Sequence, residues 1–234
     1  MVSFPHRIRP LALINPKLIP NVDLWHLDLE HITSQEQDNA LVHLASHELE
    51  RAYSYRRKQD QRHFIIRRML LKKILAFYGH MVPIDIQLRD NQQKKPMIAN
   101  RPDLQFNTTH TYTRGVVAVH PWHSVGIDIE EMGVVEDCAS LLDQFASIEE
   151  KRWVNTSMHH FFMLWTIKEA LLKCQGTGFL VETLPDLDHI PDCLEENLYV
   201  SRSQGYIIYS TLWEKSWVSI CRPDYYCIPI KMLE

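Results

Sequence analysis

Apolar residues recur at a helical period over Phe161–Gly178, with the sequence FFMLWTIKEALLKCQGTG. The apolar stripe is formed by Leu164, Ile167, Leu171 and Cys174. Glu169 and Lys173 are four positions apart, so they are neighbours on a helix surface, and they lie away from the stripe. Gly176 and Gly178 are typical of a helix C-terminus. The pattern predicts an amphipathic helix that holds a carboxylate and an ammonium group side by side.

A period of two replaces the helical period in two segments, Val22–Glu30 and Ser124–Glu130. Both are predicted to be half-buried strands. In the second strand, the inward face would consist of Val125, Ile127 and Ile129. Asp128 and Glu130 would then project together from the opposite face.

The remaining patterns are weaker and alternate between the two periods. Helices are predicted over Ser34–Ala45, Ser46–Tyr55, Asp60–Tyr78, Glu136–Phe145 and Glu149–Val154. Strands are predicted at Pro83–Leu88, Lys95–Ile98, Tyr206–Leu212, Trp217–Cys221 and Tyr226–Ile230. Residues 1–20 suggest an irregular lead-in, and 106–119 suggest a polar turn, NTTHTYT, followed by a strand, GVVAV. Helices and strands without strict alternation favour the α+β class.

An internal repeat is a candidate feature of this pattern. Ala45–Lys72 aligns with Ala146–Lys173 at an offset of 101 without a gap, and eight of the 28 pairs are identical. Chance remains an alternative, because helices share Leu, Glu and Lys. The repeat predicts two similar lobes, 1–121 and 122–234. In this register, Arg68 takes the position of Glu169 and Arg67 that of Lys168.

Composition narrows the function classes. The chain has 45% apolar and 23% charged residues and a net charge of −4, which is ordinary for a globular protein and disfavours nucleic acid as a partner. Neither a signal peptide nor an apolar run of membrane-spanning length is recognisable, and the five cysteines show no CxxC spacing. The expected location is the cytoplasm, without a membrane partner.

Two groups of charged residues are candidate chemistry. Asp128, Glu130 and Glu169 are an all-oxygen set that suits Mg²⁺ or Mn²⁺, although D-x-E is more often a pair of solvated acids. The same D-x-E at Asp28 and Glu30 is not expected to bind metal. The second group is cationic and suits a ligand with several phosphates, an acidic partner, or simply solvent. It comprises Arg56, Arg57, Lys58, Arg62, Arg67, Arg68, Lys72 and Lys73.

Other catalytic patterns are missing from the sequence. His43 and His47 are four apart on a predicted helix, but no HExxH accompanies them, so a surface pair is expected. No phosphate-binding glycine loop and no nucleophile elbow is present.

The charged motifs together resemble a known family. Gly126–Glu130, GIDIE, is followed about forty residues later by Trp165–Gly178, WTIKEALLKCQGTG. This pair is similar to the signature of 4'-phosphopantetheinyl transferases, most closely the monomeric, surfactin-synthetase-activator (Sfp) type. Lys95-Pro96 resembles the family's Gly-Lys-Pro, and Phe106–His110, FNTTH, resembles its Phe-Asn-x-Ser-His. The first-lobe helix, Glu48 through Lys72, is also similar, so the resemblance covers about residues 22–180.

The resemblance implies a fold, a reaction and roles for particular residues. The fold would be a pseudo-twofold pair of α/β lobes, and the chain would act as a monomer. The enzyme would transfer the phosphopantetheine arm of coenzyme A to a serine of an apo acyl or peptidyl carrier protein, releasing adenosine 3',5'-bisphosphate. Magnesium would be held by Asp128, Glu130 and Glu169; Glu169 and Lys173 would be catalytic. The coenzyme A contacts would be Lys95, Thr109, His110, Lys168, Arg62 and Arg68.

The chain departs from the family pattern in its first lobe. Lys94 replaces a glycine, Thr109 replaces a serine, and Leu49 and Ala52 stand where some members carry lysines. A catalytically idle relative that binds coenzyme A or a carrier domain is the alternative function, and another Mg²⁺-dependent phosphotransferase is a third. The carrier itself is not marked by any motif.

Overall fold

The computed structural model describes residues 6–15, 17–91, 95–177 and 184–224. The N-terminal half begins with two strands and three helices: β1 (Ile8–Pro10), β2 (Asp23–Asp28), α1 (Ser34–Leu41), α2 (Ser46–Tyr53) and α3 (Lys58–Gly79). Four strands follow, namely β3 (Leu88–Asp90), β4 (Pro96–Ile98), β5 (Gln105–His110) and β6 (Arg114–His120). None of the helices in these described ranges is long and apolar enough to cross a membrane.

The C-terminal half also begins with a strand and three helices. These are β7 (Gly126–Glu131), α4 (Cys138–Phe145), α5 (Ile148–Val154) and α6 (Met158–Gln175). The half ends with β8 (Asp192–Glu195), β9 (Leu198–Ser203), β10 (Tyr206–Trp213) and β11 (Ser216–Pro223). The mixture of helices and antiparallel sheets confirms the mixed α and β prediction.

The two sheets share one connectivity. Their strand orders are β1-β2-β6-β5 and β7-β11-β10-β9-β8, and β3 and β4 form a separate hairpin. In the first sheet, the strand that precedes the helices, β2, pairs antiparallel with β6, and β6 pairs with β5. In the second, β7 pairs antiparallel with β11, and β11 pairs with β10. Each half thus places the strand before its helices beside its last described strand.

Both sheets are covered on two faces. Helices α1–α3 pack on one face of the first sheet, around Trp25, Leu27 and Val117. Helices α4–α6 pack in the same way on the second sheet, around Trp217 and Cys221. The opposite faces of the two sheets share a central core, to which Leu24, Val116, Ala118, Ile127, Ile129, Val218 and Ile220 belong. The prediction that Val22–Glu30 is half-buried is therefore wrong, because β2 is covered on both sides.

The two sheets are joined side by side at β5 and β7 through side chains. The backbone N–H of Ile127 donates to Asn107 Oδ1 at 3.0 Å, and that of Ile129 donates to Thr109 Oγ1 at 3.3 Å. These contacts explain why the first four residues of the predicted turn NTTHTYT belong to strand β5: Asn107 and Thr109 satisfy a neighbouring backbone instead of facing water.

Helix α6 lies unusually close to β7 at Gly126. A Cβ atom at this position would lie 1.9 Å from the carbonyl oxygen of Ala170. The helix ends as predicted at Gly176, whose φ of 74° favours glycine. The predicted stripe is buried, with Leu164, Ile167 and Leu171 fully inaccessible. Gly178 and the predicted strand Tyr226–Ile230 lie outside the described residues.

Several boundaries differ from the sequence prediction. The lead-in contains a strand, β1, that pairs with β2. Pro83–Asp85 form a 3-10 turn, because proline suits the first helical position, and the strand begins only at Leu88. The sequence patterns also missed β8 and β9.

The starts of the corresponding helices lie on either side of the predicted offset of 101. The first residues of α2 and α5, Ser46 and Ile148, are 102 apart, and those of α3 and α6, Lys58 and Met158, are 100 apart. Differences of one residue are within the usual variation of helix ends.

Candidate active site

Three charged groups meet where α6 crosses β7. Lys173 Nζ donates a hydrogen bond to Asp128 Oδ1 at 2.6 Å and lies 3.9 Å from Glu169 Oε2. Strand alternation turns Asp128 toward the helix, as predicted, and the four-residue spacing puts Glu169 and Lys173 on the helix face that meets it. Gly126 permits this close approach because it has no side chain.

Asp128 is buried, with 3% of its surface exposed. Its Oδ1 also accepts a hydrogen bond from Thr109 Oγ1 at 3.0 Å. Its Oδ2 is inaccessible and finds no hydrogen-bond partner within the part of the chain that the structure describes. A buried carboxylate oxygen without a partner is costly, so this atom is available to a ligand.

The two other carboxylates are held in an environment that disfavours their charge. Burial raises the pKa of Glu169 to about 7, with a further increase from Asp128 and Glu130 that Lys173 opposes. Burial, and then the charge of Asp128, also raises the pKa of Glu130, while Lys173 and a hydrogen bond from Trp165 lower it. Asp128, Glu130 and Glu169 thus interact electrostatically around a single cation, Lys173.

The carboxylates fit a divalent cation by their chemistry. Among the described residues, no three His, Cys, Asp or Glu side chains are arranged as a group that could hold a metal ion. Lys173 instead supplies the positive charge beside Asp128. The unpartnered Asp128 Oδ2 and the raised pKa values of Glu130 and Glu169 are nevertheless what a hard cation with oxygen ligands would relieve.

A cavity of about 650 Å³ opens beside these groups in the N-terminal half. Its walls come from α2, α3 and the β5–β6 hairpin, and they include Arg51, Tyr55, His63, Phe64, Arg67, Arg68, Thr109, His110 and Tyr112. Thr109 belongs both to this wall and to the Asp128 contact. Thr109 therefore connects a wall of the cavity to the carboxylate cluster.

The predicted contact His110 lies at this junction. Burial lowers its pKa to about 4, and the positive charges of Arg67 and Lys173 lower it further. Its imidazole is consequently neutral near pH 7. Arg68, also predicted, lines the cavity with its guanidinium 5.3 Å from the Phe64 ring centre and 3.5 Å from Glu48 Oε1.

Three of the predicted coenzyme A contacts lie elsewhere. Lys95 Nζ donates to the carbonyl oxygens of Val125 and Cys174, at 3.2 and 3.4 Å, and so caps the C-terminus of α6. Arg62 donates to Gln37, Ile32 and Ser34 and holds the start of α1. Neither residue lines the cavity.

Lys168 is the clearest correction. Only 2% of its surface is exposed, and its ammonium lies 2.7 Å from Glu150 Oε1 and donates to the carbonyl oxygen of Pro185 at 2.6 Å. Glu150 in turn accepts from the backbone of Leu187. Lys168 therefore anchors α5 and the segment after α6 instead of facing the cavity.

Sequence reasoning missed several residues of the cavity. Arg51, Tyr55, His63, Phe64 and Tyr112 line it but match no motif. His63 and Phe64 were identifiable in principle, because they precede Arg67 and Arg68 by one helical turn and share their face. Tyr112 stacks on His63, with ring centres 4.9 Å apart, a contact between helix α3 and the β5–β6 turn that spacing does not reveal.

Comparisons with known proteins agree with this geometry. Residues 124–227 match the 4'-phosphopantetheinyl transferase superfamily, and residues 31–121 match the N-terminal region of 4'-phosphopantetheinyl transferases. The 4'-phosphopantetheinyl transferase HetI of Nostoc sp. is 31% identical over 69% of this chain and 71% of its own length. A 4'-phosphopantetheinyl transferase of Bacillus subtilis is 25% identical over 73% and 75%, and Sfp of the same organism is 23% identical over 66% and 70%.

These matches show that the chain is a transferase. The chain belongs to the 4'-phosphopantetheinyl transferase family, and the similarity to Sfp confirms the type that the motifs indicated.

Proposed function

We propose that this enzyme transfers the 4'-phosphopantetheine arm of coenzyme A to a serine of an apo carrier protein in a Mg²⁺-dependent reaction, releasing adenosine 3',5'-bisphosphate. The observation that carries the proposal is the meeting of Asp128, Glu169 and Lys173, with Asp128 bonded to Thr109, a residue that also lines an arginine-containing cavity. Phosphoryl transfer depends mainly on positioning and on neutralising charge, and these two sites supply both.

Asp128 and Lys173 would act as a positioned pair. The hydrogen bond of 2.6 Å between them fixes the ammonium at the boundary between cluster and cavity. From there Lys173 would stabilise the phosphate that leaves when the serine oxygen attacks, and it carries a proton that it can share with that phosphate. Thr109 would orient Asp128 through its hydroxyl, in place of contacting a coenzyme A phosphate.

Asp128, Glu130 and Glu169 would hold the magnesium ion. A bound Mg²⁺ neutralises charge on the pyrophosphate and orients it. Mn²⁺ has the same preference for oxygen ligands and is expected to substitute.

Glu169 is the proposed acceptor of the serine proton. A carboxylate whose pKa is raised to about 7 by burial is matched to proton transfer near neutral pH. In the metal-bound state its pKa would fall, because the cation favours the ionised form.

The arrangement of the halves is part of the proposal. The common connectivity of the two sheets supports two lobes, 1–121 and 122–234, related as a pseudodimer within one chain. The active site would lie between them, with coenzyme A phosphates in the first lobe and metal in the second. A monomer in the cytoplasm is the expected form.

The test is the mass gain of phosphopantetheine on a carrier. The enzyme is incubated with coenzyme A, Mg²⁺ and a panel of apo acyl and peptidyl carrier proteins, and intact masses are recorded. Wild type is expected to modify at least one carrier, and Lys173→Ala and Glu169→Gln are expected to lose that activity. Full activity of Glu169→Gln would remove the metal and proton roles of this residue.

The same experiment separates the alternative function. An idle relative would bind coenzyme A in calorimetry without modifying any carrier. The intact set of Asp128, Glu169 and Lys173 and the family membership favour the enzyme.

A further inference from the structure

Three arginines line the cavity, and they differ in how their charge is balanced. Arg51 lies 3.8 Å from Asp90 Oδ2, and Arg68 lies 3.5 Å from Glu48 Oε1. Arg67 forms no ion pair with any carboxylate in the described ranges, and its Nε donates only to the carbonyl oxygen of His63, at 3.3 Å. Asp60 also lines the cavity and raises the pKa of Arg67, whereas the guanidinium groups of Arg68 and Arg51 lower it.

An uncompensated guanidinium in a partly enclosed cavity is unfavourable without a ligand. Desolvation lowers the pKa of Arg67 to about 10, which still leaves it fully charged at pH 7. His110, by contrast, is neutral there, since burial lowers its pKa to about 4. Arg67 is thus a permanent positive charge in the same cavity as His110, the residue that the family resemblance assigned to coenzyme A.

Arg67 and Lys173 both act electrostatically on His110, so both cations lie near this residue of the cavity wall. The His63 ring, one turn before Arg67 on α3, stacks on Tyr112, which follows His110 by two residues in the β5–β6 turn. The stack ties the Arg67 turn of α3 to the strand that carries Thr109 and His110. On that strand, Thr109 contacts Asp128, the partner of Lys173.

We propose that Arg67 binds the pyrophosphate of coenzyme A and is the main first-lobe cation for that group. This inference rests on the proposed function only in taking coenzyme A as the ligand. A guanidinium fork fits two phosphate oxygens at once, and the His63 carbonyl fixes its orientation. Arg51 and Arg68 also line the cavity but are already paired with carboxylates.

The test compares two ligands that differ in one phosphate. Calorimetry measures the affinities of coenzyme A and of 3'-dephospho-coenzyme A, with Mg²⁺ and without a carrier, for wild type and Arg67→Gln. The expected result is a loss of about 10- to 100-fold for both ligands by the same factor, as for a lost hydrogen bond to a charged group. Arg67→Lys should lie between, because it keeps the charge but not the fork.

Lys58→Gln is the matched control. It removes one positive charge from the exposed start of the same helix and should change both affinities by less than about twofold, since long-range charge effects are screened. Melting temperatures show whether each variant is folded. If Arg67→Gln does not fold, Arg67→Lys serves for the same comparison.

Each remaining outcome has one meaning. Unchanged affinity in Arg67→Gln overturns the inference. A loss confined to coenzyme A shows contact with the 3'-phosphate and overturns the assignment to pyrophosphate. Wild type that binds coenzyme A but modifies no carrier would sink the proposed transfer, while the comparison of Arg67 variants would still decide this inference.

Discussion

The long helices of the two halves, α3 and α6, are each held by a buried ion pair, but they carry different charged side chains near the site. Each is bound to the preceding short helix by a buried lysine–glutamate pair: Lys72 with Glu48 at 3.0 Å, and Lys168 with Glu150 at 2.7 Å. Both glutamates are the third residue of their helix and accept from the backbone N–H of the capping residue, Ala45 or Ser147.

The charged side chains that the same two helices bring to the proposed site differ. Helix α3 offers Arg67 and Arg68, whereas α6 offers Glu169 and Lys173 above Asp128. The D-x-E of the first half is engaged differently as well, because Asp28 lies 3.7 Å from Arg7 instead of under the long helix. Two halves with a common sheet connectivity therefore carry the proposed anion-binding wall and the proposed cation-binding cluster, and the difference lies in a few side chains.

The largest expected effect separates the two D-x-E motifs. Asp128→Asn removes the charge that positions Lys173 and should lower kcat/KM for carrier modification by at least about 10³-fold, or about 4 kcal/mol. The matched variant Asp28→Asn should stay within about twofold of wild type, because its carboxylate is half-exposed and paired only loosely. Equal losses in both variants, measured by intact mass under initial-rate conditions, would contradict the division of roles.

The second effect concerns the buried pairs. Lys168→Met leaves Glu150 as an uncompensated buried charge and should cost about 3 kcal/mol of unfolding free energy in urea, the low end for such pairs, because two backbone donors remain. Lys72→Met should cost less, since Arg68 stays near Glu48. Glu150→Gln in the Lys168→Met background should recover part of the loss. An unchanged unfolding free energy in Lys168→Met would show that Glu150 does not need the ammonium group of Lys168.

The alternation of β7 was sufficient to predict Asp128 and Glu130 on one face, and the period of α6 to predict Glu169 and Lys173 as neighbours, because both patterns are strong and local. That the two pairs meet was expected only from the metal hypothesis and the family resemblance. Lys168 was misassigned, although it follows Leu164 by four residues and therefore lies on the edge of the buried stripe. A charged residue on that edge needs a partner from another element, and Glu150 could not be identified from spacing alone. The family resemblance assigned Lys168 to coenzyme A, whereas the structure pairs it with the buried Glu150.

Strand β5 marks a second limit of prediction. Its polar residues suggested a turn because alternation assumes that polar side chains face water. Asn107 and Thr109 instead accept hydrogen bonds from the backbone of β7. The pattern of β5 alone does not reveal that β7 lies beside it. Arg67 and Arg68 were visible as part of a charged helix, but which cavity arginine is left without a carboxylate depends on Glu48 and Asp90, which come from other elements.

The third prediction compares two strand glycines. Gly126→Ala would force its Cβ to within 1.9 Å of the Ala170 carbonyl oxygen, so α6 must move away from β7. The expected cost is about 2–3 kcal/mol of stability, and a displaced Lys173 should also slow carrier modification by about 10²-fold. Gly115→Ala meets only the Leu27 side chain, at 3.3 Å, which can adjust, so a change within about 1 kcal/mol is expected. Thermal and urea unfolding with initial rates measure both, and a harmless Gly126→Ala would contradict the close packing.

The smallest effect tests the charge of the second half through pH. The folded pKa of Glu169 is raised to about 7 from 4.5, so between these values the folded state holds a proton that the unfolded chain has released. Stability in metal-free buffer is therefore lost as pH rises through this window, by at most about 3 kcal/mol from linkage. Because 15% of the side chain is exposed, about 1–2 kcal/mol is expected.

Glu169→Gln should abolish this slope. It should be more stable than wild type at pH 8 and equal to it below pH 4.5, whereas Mg²⁺ at pH 8 should raise the melting temperature of wild type and not of the variant. Arg67→Gln is the matched change in the first half, and because Arg67 stays charged across this range it should leave the slope intact. A slope that persists in Glu169→Gln would assign the titration to another group, such as Glu130, whose pKa is raised by the same burial.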